Sequence, residues 1–383
     1  MIQPGKKKRQ WHFVAVFFLF MMYNVFGYFW HAPKQKKVFY EELKGKIIMK
    51  ILFIFTGGTI GSTTNDKFIS LDGGKPYKII SAYKEKFGID FTYDTVEPYT
   101  LLSENSMGSN LKLLADSVIE GINKDYDGII VTHGTDTLQY SGAFLSYIAG
   151  LSKTPVFLVS SDHPVEDERA NGLYNLDGAV AMTRLALADK SIKGVYIPYR
   201  NSDAITYIHR ASRLLMSQAY TADMFSVKNS FFAKYENGHL IKNDLYQERI
   251  DEASALLYTG LLNVSDSIVR IEACPGLKYP EIDERVKAVI IGTYHSGTLP
   301  METEELKSFL TEMKERNIDV FITGVSSGIS YESTKDYQLY DLKIFPEISP
   351  IAAYIKLWLL ITMGYQNAEL YTMLNLSLGG DIV

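Results

Sequence analysis

Short apolar runs alternate with amphipathic stretches along most of the chain after residue 48. Residues 50–61 read KILFIFTGGTIG, an apolar run rich in β-forming residues that ends in a turn of small residues. Residues 127–137, DGIIVTHGTDT, repeat this pattern. Strands of a parallel sheet are continuously apolar because helices cover both faces. The pattern predicts an α/β fold with a doubly wound parallel sheet, whose functional groups lie at the carboxyl ends of the strands.

The same alternation predicts two domains joined by a linker. Residues 49–230 carry the longer series of strands and helices and form the predicted N-terminal domain. Residues 231–259 are polar and poorly periodic, with a hairpin signal at residues 235–238, and are interpreted as the linker. Residues 260–383 repeat the alternation on a smaller scale, which predicts a smaller α/β C-terminal domain.

Residues 1–48 differ from the rest of the chain. KKKR at residues 6–9 precedes a segment, residues 11–33, that contains no Asp, Glu, Lys or Arg. About 20 apolar residues suffice to cross a bilayer, and no small-residue cleavage pattern follows, so an uncleaved membrane anchor is one interpretation. The other is that translation begins at Met49 and that this extension is a mis-called start. The first predicts a membrane-anchored protein and the second a cytoplasmic one.

Charge and cysteine content exclude several classes of function. The net charge is −5 and no basic face follows residue 50, which argues against a nucleic-acid partner. Cys274 is the single cysteine, so the chain has neither an intrachain disulfide framework nor a multi-cysteine metal site. The acidic loop at residues 162–168 lacks the spacing of metal ligands and is interpreted as solvated.

Two polar turns at strand ends carry the candidate chemistry. Glycines in TGGTI, at residues 56–60, and in THGTDT, at residues 132–137, let backbone N–H groups approach a ligand, and the Thr59 hydroxyl could act as a nucleophile. These two motifs, together with GLYNL at residues 172–176, resemble the paired signatures of the bacterial-type asparaginases, more specifically of the intracellular, type I-like branch.

The resemblance implies a mechanism and a set of residues. Thr59 would attack the side-chain carboxamide of L-asparagine, ammonia would leave, and water would hydrolyse the acyl-enzyme with help from Thr135 and Asp136. Asp136 would also bind the α-ammonium group of the substrate. Backbone N–H groups near Gly58 and Gly134 would stabilise the oxyanion. The resemblance further implies a homo-oligomer, a dimer or tetramer, that needs no metal or organic cofactor.

The residue that holds the substrate carboxylate is left open by the sequence. The matching family segment uses a serine, and an ungapped alignment places Glu104 there, whereas a shift of one residue places Ser103 there. A glutamate would repel a carboxylate, so the side chain that faces inward decides the role. Alternatively, this serine-rich stretch only caps the helix predicted to begin near Asn110.

Two positions depart from the family pattern. The lid predicted at residues 62–71 has Phe68, or Ile69 in an ungapped count, where the family has a tyrosine. HRASRL, at residues 209–214, has Arg213 where the family has the lysine that works with the second threonine and the aspartate in catalysis. Arg213 could still hold Asp136 or an anionic substrate, but a guanidinium relays protons poorly because it stays charged.

These departures keep an alternative open: a catalytically weakened or inactive asparaginase-fold protein that binds an amino acid. A third hypothesis, the amidase subunit of a tRNA-dependent amidotransferase, requires an extra N-terminal domain and a basic RNA-facing surface. Residues 1–48 provide neither. The sequence does not rank asparagine against glutamine as a substrate.

Overall fold

The protein is described by a computed structural model. It describes residues 48–58, 77–247, 267–328 and 331–383, the backbone of Ser62–Asn65 and Phe68–Leu71, and a few single positions between 255 and 260. The predicted membrane anchor at residues 11–33 therefore lies outside the described residues. Within the described residues, no helix is both long and apolar enough to cross a membrane.

The larger sheet has eight strands. In spatial order they are β10 (His239–Lys242), β9 (Ala233–Glu236), β8 (Thr206–Arg210), β7 (Val195–Arg200), β6 (Val156–Val159), β5 (Gly128–Thr132), β1 (Lys50–Phe55) and β4 (Thr92–Val96). The strands from β7 to β4 pair in parallel, whereas β8, β9 and β10 are added antiparallel. The sheet is therefore predominantly parallel.

Helices cover both faces of this sheet. They are α1 (Lys78–Phe87), α2 (Gly108–Ile122), α3 (Leu138–Ala149) and α4 (Gly172–Ala188). Alternate residues of β1 enter opposite cores: Leu52 packs in the core that contains α2 and α3, and Phe53 in the core that contains α1 and α4. This double burial explains the continuous apolar run of β1.

The smaller sheet has four parallel strands. They are β11 (Ile268–Glu272), β12 (Ala288–Gly292), β13 (Asp319–Thr323) and β14 (Lys343–Ile344), and α5 (Glu304–Glu315) packs against the sheet through Leu306 and Phe309. The predicted fold class is thus confirmed: a doubly wound, mainly parallel sheet followed by a smaller α/β unit.

The last two helices belong to the core beneath the larger sheet. They are α6 (Pro350–Thr362) and α7 (Asn367–Asn375). Trp358 of α6 packs on Phe144 of α3, with ring centroids 6.0 Å apart. The C-terminal part of the chain therefore packs directly on the helix that follows the second polar turn.

The structure differs from the sequence prediction at the start of the predicted linker. The hairpin signal at residues 235–238 does form a hairpin, with Asn237 and Gly238 at φ 51° and 78° as its turn requires. However, its strands β9 and β10 pair at the edge of the larger sheet, so residues 233–242 belong to that sheet and not to a linker. The predicted lid likewise contains a two-stranded antiparallel sheet, formed by β2 (Ser62–Asn65) and β3 (Phe68–Leu71).

Candidate active site

The two polar turns lie in backbone contact at the carboxyl ends of β1 and β5. These strands are neighbours, and the Thr56 hydroxyl donates a hydrogen bond to the carbonyl oxygen of Thr132 at 2.6 Å. Gly58 has φ of 80°, and a Cβ built there would lie 2.5 Å from the backbone nitrogen of Gly134. Only glycine fits this conformation and this distance, so the two turns form one continuous surface.

Ser103 lies at the junction of these turns. Hydrogen bonds from Gly58 N to Leu101 O and from Leu101 N to Thr56 O, both 3.2 Å, hold the segment before Ser103 along the first turn. A Cβ built on Gly134 would lie 2.3 Å from Ser103 Oγ. The structure therefore brings Gly58, Gly134 and the Ser103 hydroxyl together.

The geometry distinguishes the two carboxylate-binding candidates. Ser103 is buried and starts its own 3₁₀ turn, Ser103–Asn105, whereas the Glu104 side chain is exposed. Neither residue caps α2, because Met107 is its N-cap and Asn110 Oδ1 accepts the Met107 N–H at 2.9 Å. The side chain that faces the turns is thus Ser103.

Thr137 and Gln139, which the sequence analysis did not assign to the site, fix the second turn. Thr137 Oγ1 donates to the carbonyl oxygen of Ser103 at 3.1 Å, and the buried Gln139 side chain donates to the carbonyl oxygen of Asp136 at 3.1 Å. Thr135 is half-buried and the Asp136 carboxylate is exposed. A ligand can therefore reach both predicted residues, while the backbone beneath them is held in place.

His133 precedes Gly134 and is buried. Its Nδ1 lies 2.8 Å from the carbonyl oxygen of Gly134, which makes Nδ1 the protonated nitrogen. Burial lowers the pKa of His133 because the charged ring would lose its hydration. The neutral ring therefore stabilises the turn at Gly134 through this hydrogen bond.

Arg213, the residue at the family lysine position, contacts the C-terminal tail at residues 379–383. Its guanidinium is fully buried and donates to the carbonyl oxygens of Gly380 and Gln247, both at 2.7 Å, and of Ile382 at 3.2 Å. The prediction assumed that the family lysine falls in HRASRL. In the folded chain, that segment contacts the C-terminal tail, and the catalytic role of Arg213 remains a prediction.

Two predicted residues cannot be placed by their side chains. Thr59 directly follows Gly58 and lies outside the described residues. Phe68 begins β3, but only its backbone belongs to the described part of the chain. The roles assigned to both positions remain predictions.

Comparison with known proteins identifies the family. Residues 50–245, just over half of the chain, match the family model described as the N-terminal domain of asparaginase. This chain belongs to the asparaginase family. The resemblance predicted from TGGTI and THGTDT is thereby confirmed.

Sequence relatives of this asparaginase-family chain carry a different name. It is 26% identical to a glutamyl-tRNA(Gln) amidotransferase subunit of Methanobrevibacter smithii, over 86% of this chain and 76% of that protein. It is 33% identical to the corresponding amidotransferase subunit of Methanosarcina acetivorans over 50% of this chain, which spans only 44% of that relative.

The fold matches that of solved asparaginases. The thermostable L-asparaginase of Thermococcus kodakarensis superimposes with a TM-score of 0.70 over 88% of this chain and 99% of that one. Sequence identity in that comparison is 20%, so the likeness establishes the shared fold but not a shared reaction. The reaction depends on the residues of the site.

Proposed function

We propose that the protein hydrolyses the side-chain amide of a free amino acid, L-asparagine in the first instance, through a threonine acyl-enzyme. The observation that carries this proposal is the junction of Gly58, Gly134 and Ser103, where two glycine turns meet beside a buried hydroxyl. Adjacent turns at the carboxyl edge of a parallel sheet supply converging backbone N–H groups, which suit the oxyanion of an acyl transfer.

Each residue has a defined task in this proposal. Thr59 Oγ attacks the amide carbon, and ammonia leaves as the tetrahedral intermediate collapses to an ester. Ser103 donates its hydroxyl to the substrate carboxylate, and Asp136 pairs with the substrate ammonium group. Water then hydrolyses the ester at the Thr135–Asp136 turn. Because Arg213 is held by carbonyl oxygens of the C-terminal tail, the proposal assigns the proton transfer in this step to Asp136.

Ammonia release by the full-length chain tests the proposal. Asparagine and glutamine are each supplied to the natural protein and to its Thr59→Ala variant. We expect the variant to lose about 100-fold or more of the rate, because no nucleophile remains. Thr311→Ala, an exposed threonine of α5, serves as the matched control and should retain the full rate.

Equal background rates in the natural protein and in Thr59→Ala would overturn amide hydrolysis. They would favour the alternative of a catalytically weakened protein that binds an amino acid. Calorimetric titration with L-aspartate separates that alternative from a protein with no site. Ser103→Ala should weaken binding about tenfold if this hydroxyl holds the carboxylate, since a hydrogen bond to a charged group is then lost.

A second candidate function follows from the relatives: the amide-hydrolysing component of a glutamyl-tRNA(Gln) amidotransferase. It is favoured by the alignment of 86% of this chain with a subunit of such an enzyme. The net charge of −5 means that tRNA contacts would fall mainly to a partner protein. In that role, the isolated chain should not shift tRNA in a gel, and native purification should recover a second polypeptide.

The assembly and location are also proposals. We expect a homo-oligomer, which analytical ultracentrifugation would detect, or a complex with another subunit if the second candidate function is correct. A cytoplasmic location and the membrane-anchored alternative through residues 11–33 are distinguished by fractionating native cells.

A further inference from the structure

A cavity of about 360 Å³ lies beside the candidate active site. The first turns of α2 and α3 form one side of it, and Tyr354 and Trp358 of α6 form the other. Its lining includes Thr137, the residue that holds the Ser103 carbonyl oxygen, but not Ser103 itself. The cavity is therefore separate from the predicted substrate site and shares one wall with it.

One buried polar group in this cavity lacks a partner. Ser141 of α3 lines the cavity and is 1% exposed, and its hydroxyl has no hydrogen-bond partner within the described residues. An unsatisfied buried hydroxyl is costly, and native proteins pair the great majority of such groups. By contrast, Ser146, five residues further along the same helix, donates its hydroxyl to Gly142 O at 2.8 Å.

Apart from Ser106 and Thr137, the remaining described lining is apolar or aromatic, and it carries no charged residue. Leu111, Tyr354 and Trp358 supply the large surfaces, and the described lining contains no Asp, Glu, Lys, Arg or His. Arg270 contacts one lining residue, since it donates to the Tyr140 hydroxyl at 3.3 Å, but its guanidinium is paired with Glu272. A charged ligand would lose its hydration here without gaining a counter-charge.

We infer that this cavity binds a small uncharged amphipathic molecule, with a hydroxyl or amide group at Ser141 and an apolar body against Leu111 and Trp358. The size is suitable, since an apolar cavity of about 150 Å³ already admits benzene. Mainly apolar and aromatic walls with a small number of polar groups are the usual composition of a small-molecule site.

Trp358 provides a direct reporter of occupancy. The chain has three tryptophans, and the other two, Trp11 and Trp30, fall in the first 48 residues. In the full chain carrying Trp11→Phe and Trp30→Phe, all tryptophan fluorescence comes from the cavity wall. The probes are 3-phenylpropanol, 3-phenylpropanoate and 3-phenylpropylammonium, which share one shape and differ in charge.

We expect a saturable change in Trp358 emission with the alcohol and at least tenfold weaker binding of both charged probes. Ser141→Ala should weaken binding of the alcohol about tenfold, and Ser146→Ala should leave it unchanged. Leu111→Phe, which fills the cavity, should abolish binding while circular dichroism shows a folded protein.

Three results would overturn the inference: no saturable change with any probe, binding of a charged probe as tight as that of the alcohol, or equal losses from Ser141→Ala and Ser146→Ala. The measurement does not depend on ammonia release. The cavity site and the proposed amide hydrolysis can therefore fail independently.

Discussion

Gly58 and Gly134 determine how closely the two site turns approach each other. At both positions a single methyl group would overlap an essential atom: the Gly134 backbone nitrogen in one case and Ser103 Oγ in the other. These contacts place the predicted oxyanion donors and the carboxylate-binding hydroxyl on one surface. The geometry of the site therefore depends on absent side chains as much as on the catalytic groups.

Gly58→Ala tests this close approach, and Gly238→Ala is its matched control. Both glycines have nearly the same positive φ, 80° and 78°, but a Cβ at Gly238 meets no atom within 4 Å. Gly238→Ala should lose about 1–2 kcal/mol of unfolding free energy from the backbone conformation alone and keep its activity. Gly58→Ala should lose more stability and about 100-fold of the ammonia-release rate, because the turns must separate.

Urea unfolding and ammonia assays on both variants give the comparison. If Gly58→Ala behaved like Gly238→Ala in both assays, the close contact would have no role in the site.

The sequence predicts these residues but not their orientation. TGGTI and THGTDT identify Gly58 and Gly134 because small residues after apolar strands are a local signal. The 3₁₀ turn that starts at Ser103 decides whether Ser103 or Glu104 faces the two site turns. Sequence alignment alone does not decide it, because a shift of one residue exchanges the two positions. The role of Thr137 leaves no local signal in the sequence, because its partner Ser103 lies 34 residues away.

At the scale of secondary-structure elements, the C-terminal tail accounts for the contacts of Arg213. Arg210 Nε and Ser212 Oγ donate to the carbonyl oxygen of Gly379, and Arg213 Nε donates to that of Gly380. Side chains of residues 210–213 thus bind the backbone of the C-terminal tail. A contact that spans 167 residues leaves no local pattern, so sequence alone could not reveal it.

Arg213→Lys should therefore destabilise the fold instead of restoring a proton relay. A lysine loses the planar fork that binds three carbonyl oxygens, at a cost of roughly 1.5–3 kcal/mol in unfolding free energy. Arg285→Lys, at an exposed arginine paired with Asp283, is the control and should stay within about 0.5 kcal/mol. A rise in ammonia release with unchanged stability would instead support the catalytic role predicted for position 213.

A buried ion pair anchors the same tail to α6. Lys356 Nζ lies 2.9 Å from Asp381 Oδ2, both side chains are fully buried, and Tyr147 OH donates to the same oxygen at 3.1 Å. Lys356→Met should cost roughly 3–5 kcal/mol, because it leaves a buried carboxylate without its cation. Replacing both partners, with Asp381→Leu added, should cost less than the sum of the single variants.

A double-mutant cycle in urea measures this coupling. An interaction free energy of about 1 kcal/mol or more is expected, and additivity within about 0.5 kcal/mol would contradict the pairing.

At the scale of the whole molecule, the sequence predicts the two-sheet architecture because burial on both sheet faces leaves continuous apolar runs. The apolar run within residues 127–137, for example, forms β5, which is buried along its whole length. The edge of the larger sheet is harder to predict, since β9 and β10 are polar hairpin strands with one face toward solvent. Their polar sequence is also typical of a linker, and only the pairing of β9 with β8 shows that they belong to the sheet.

Buried neutral histidines make the folded state sensitive to acid. His209 of β8 is fully buried, with Nδ1 2.8 Å from Ser226 Oγ, and burial lowers its pKa to about 3 from 6.5. Between these values the unfolded chain binds a proton that the folded chain does not. Stability is therefore fully present above pH 6.5 and is lost as the pH falls toward about 3.

His209→Gln isolates this contribution, because glutamine can keep a hydrogen bond to Ser226 but does not titrate. From pH 6.5 to about 4.5, the natural protein should lose about 2–3 kcal/mol more unfolding free energy than the variant. His239→Gln, at an exposed histidine, should retain the steep pH dependence of the natural protein. Urea unfolding across this range provides the measurement. Parallel curves for the natural protein and His209→Gln would mean that His209 is protonated in the folded state, against the burial that the structure shows.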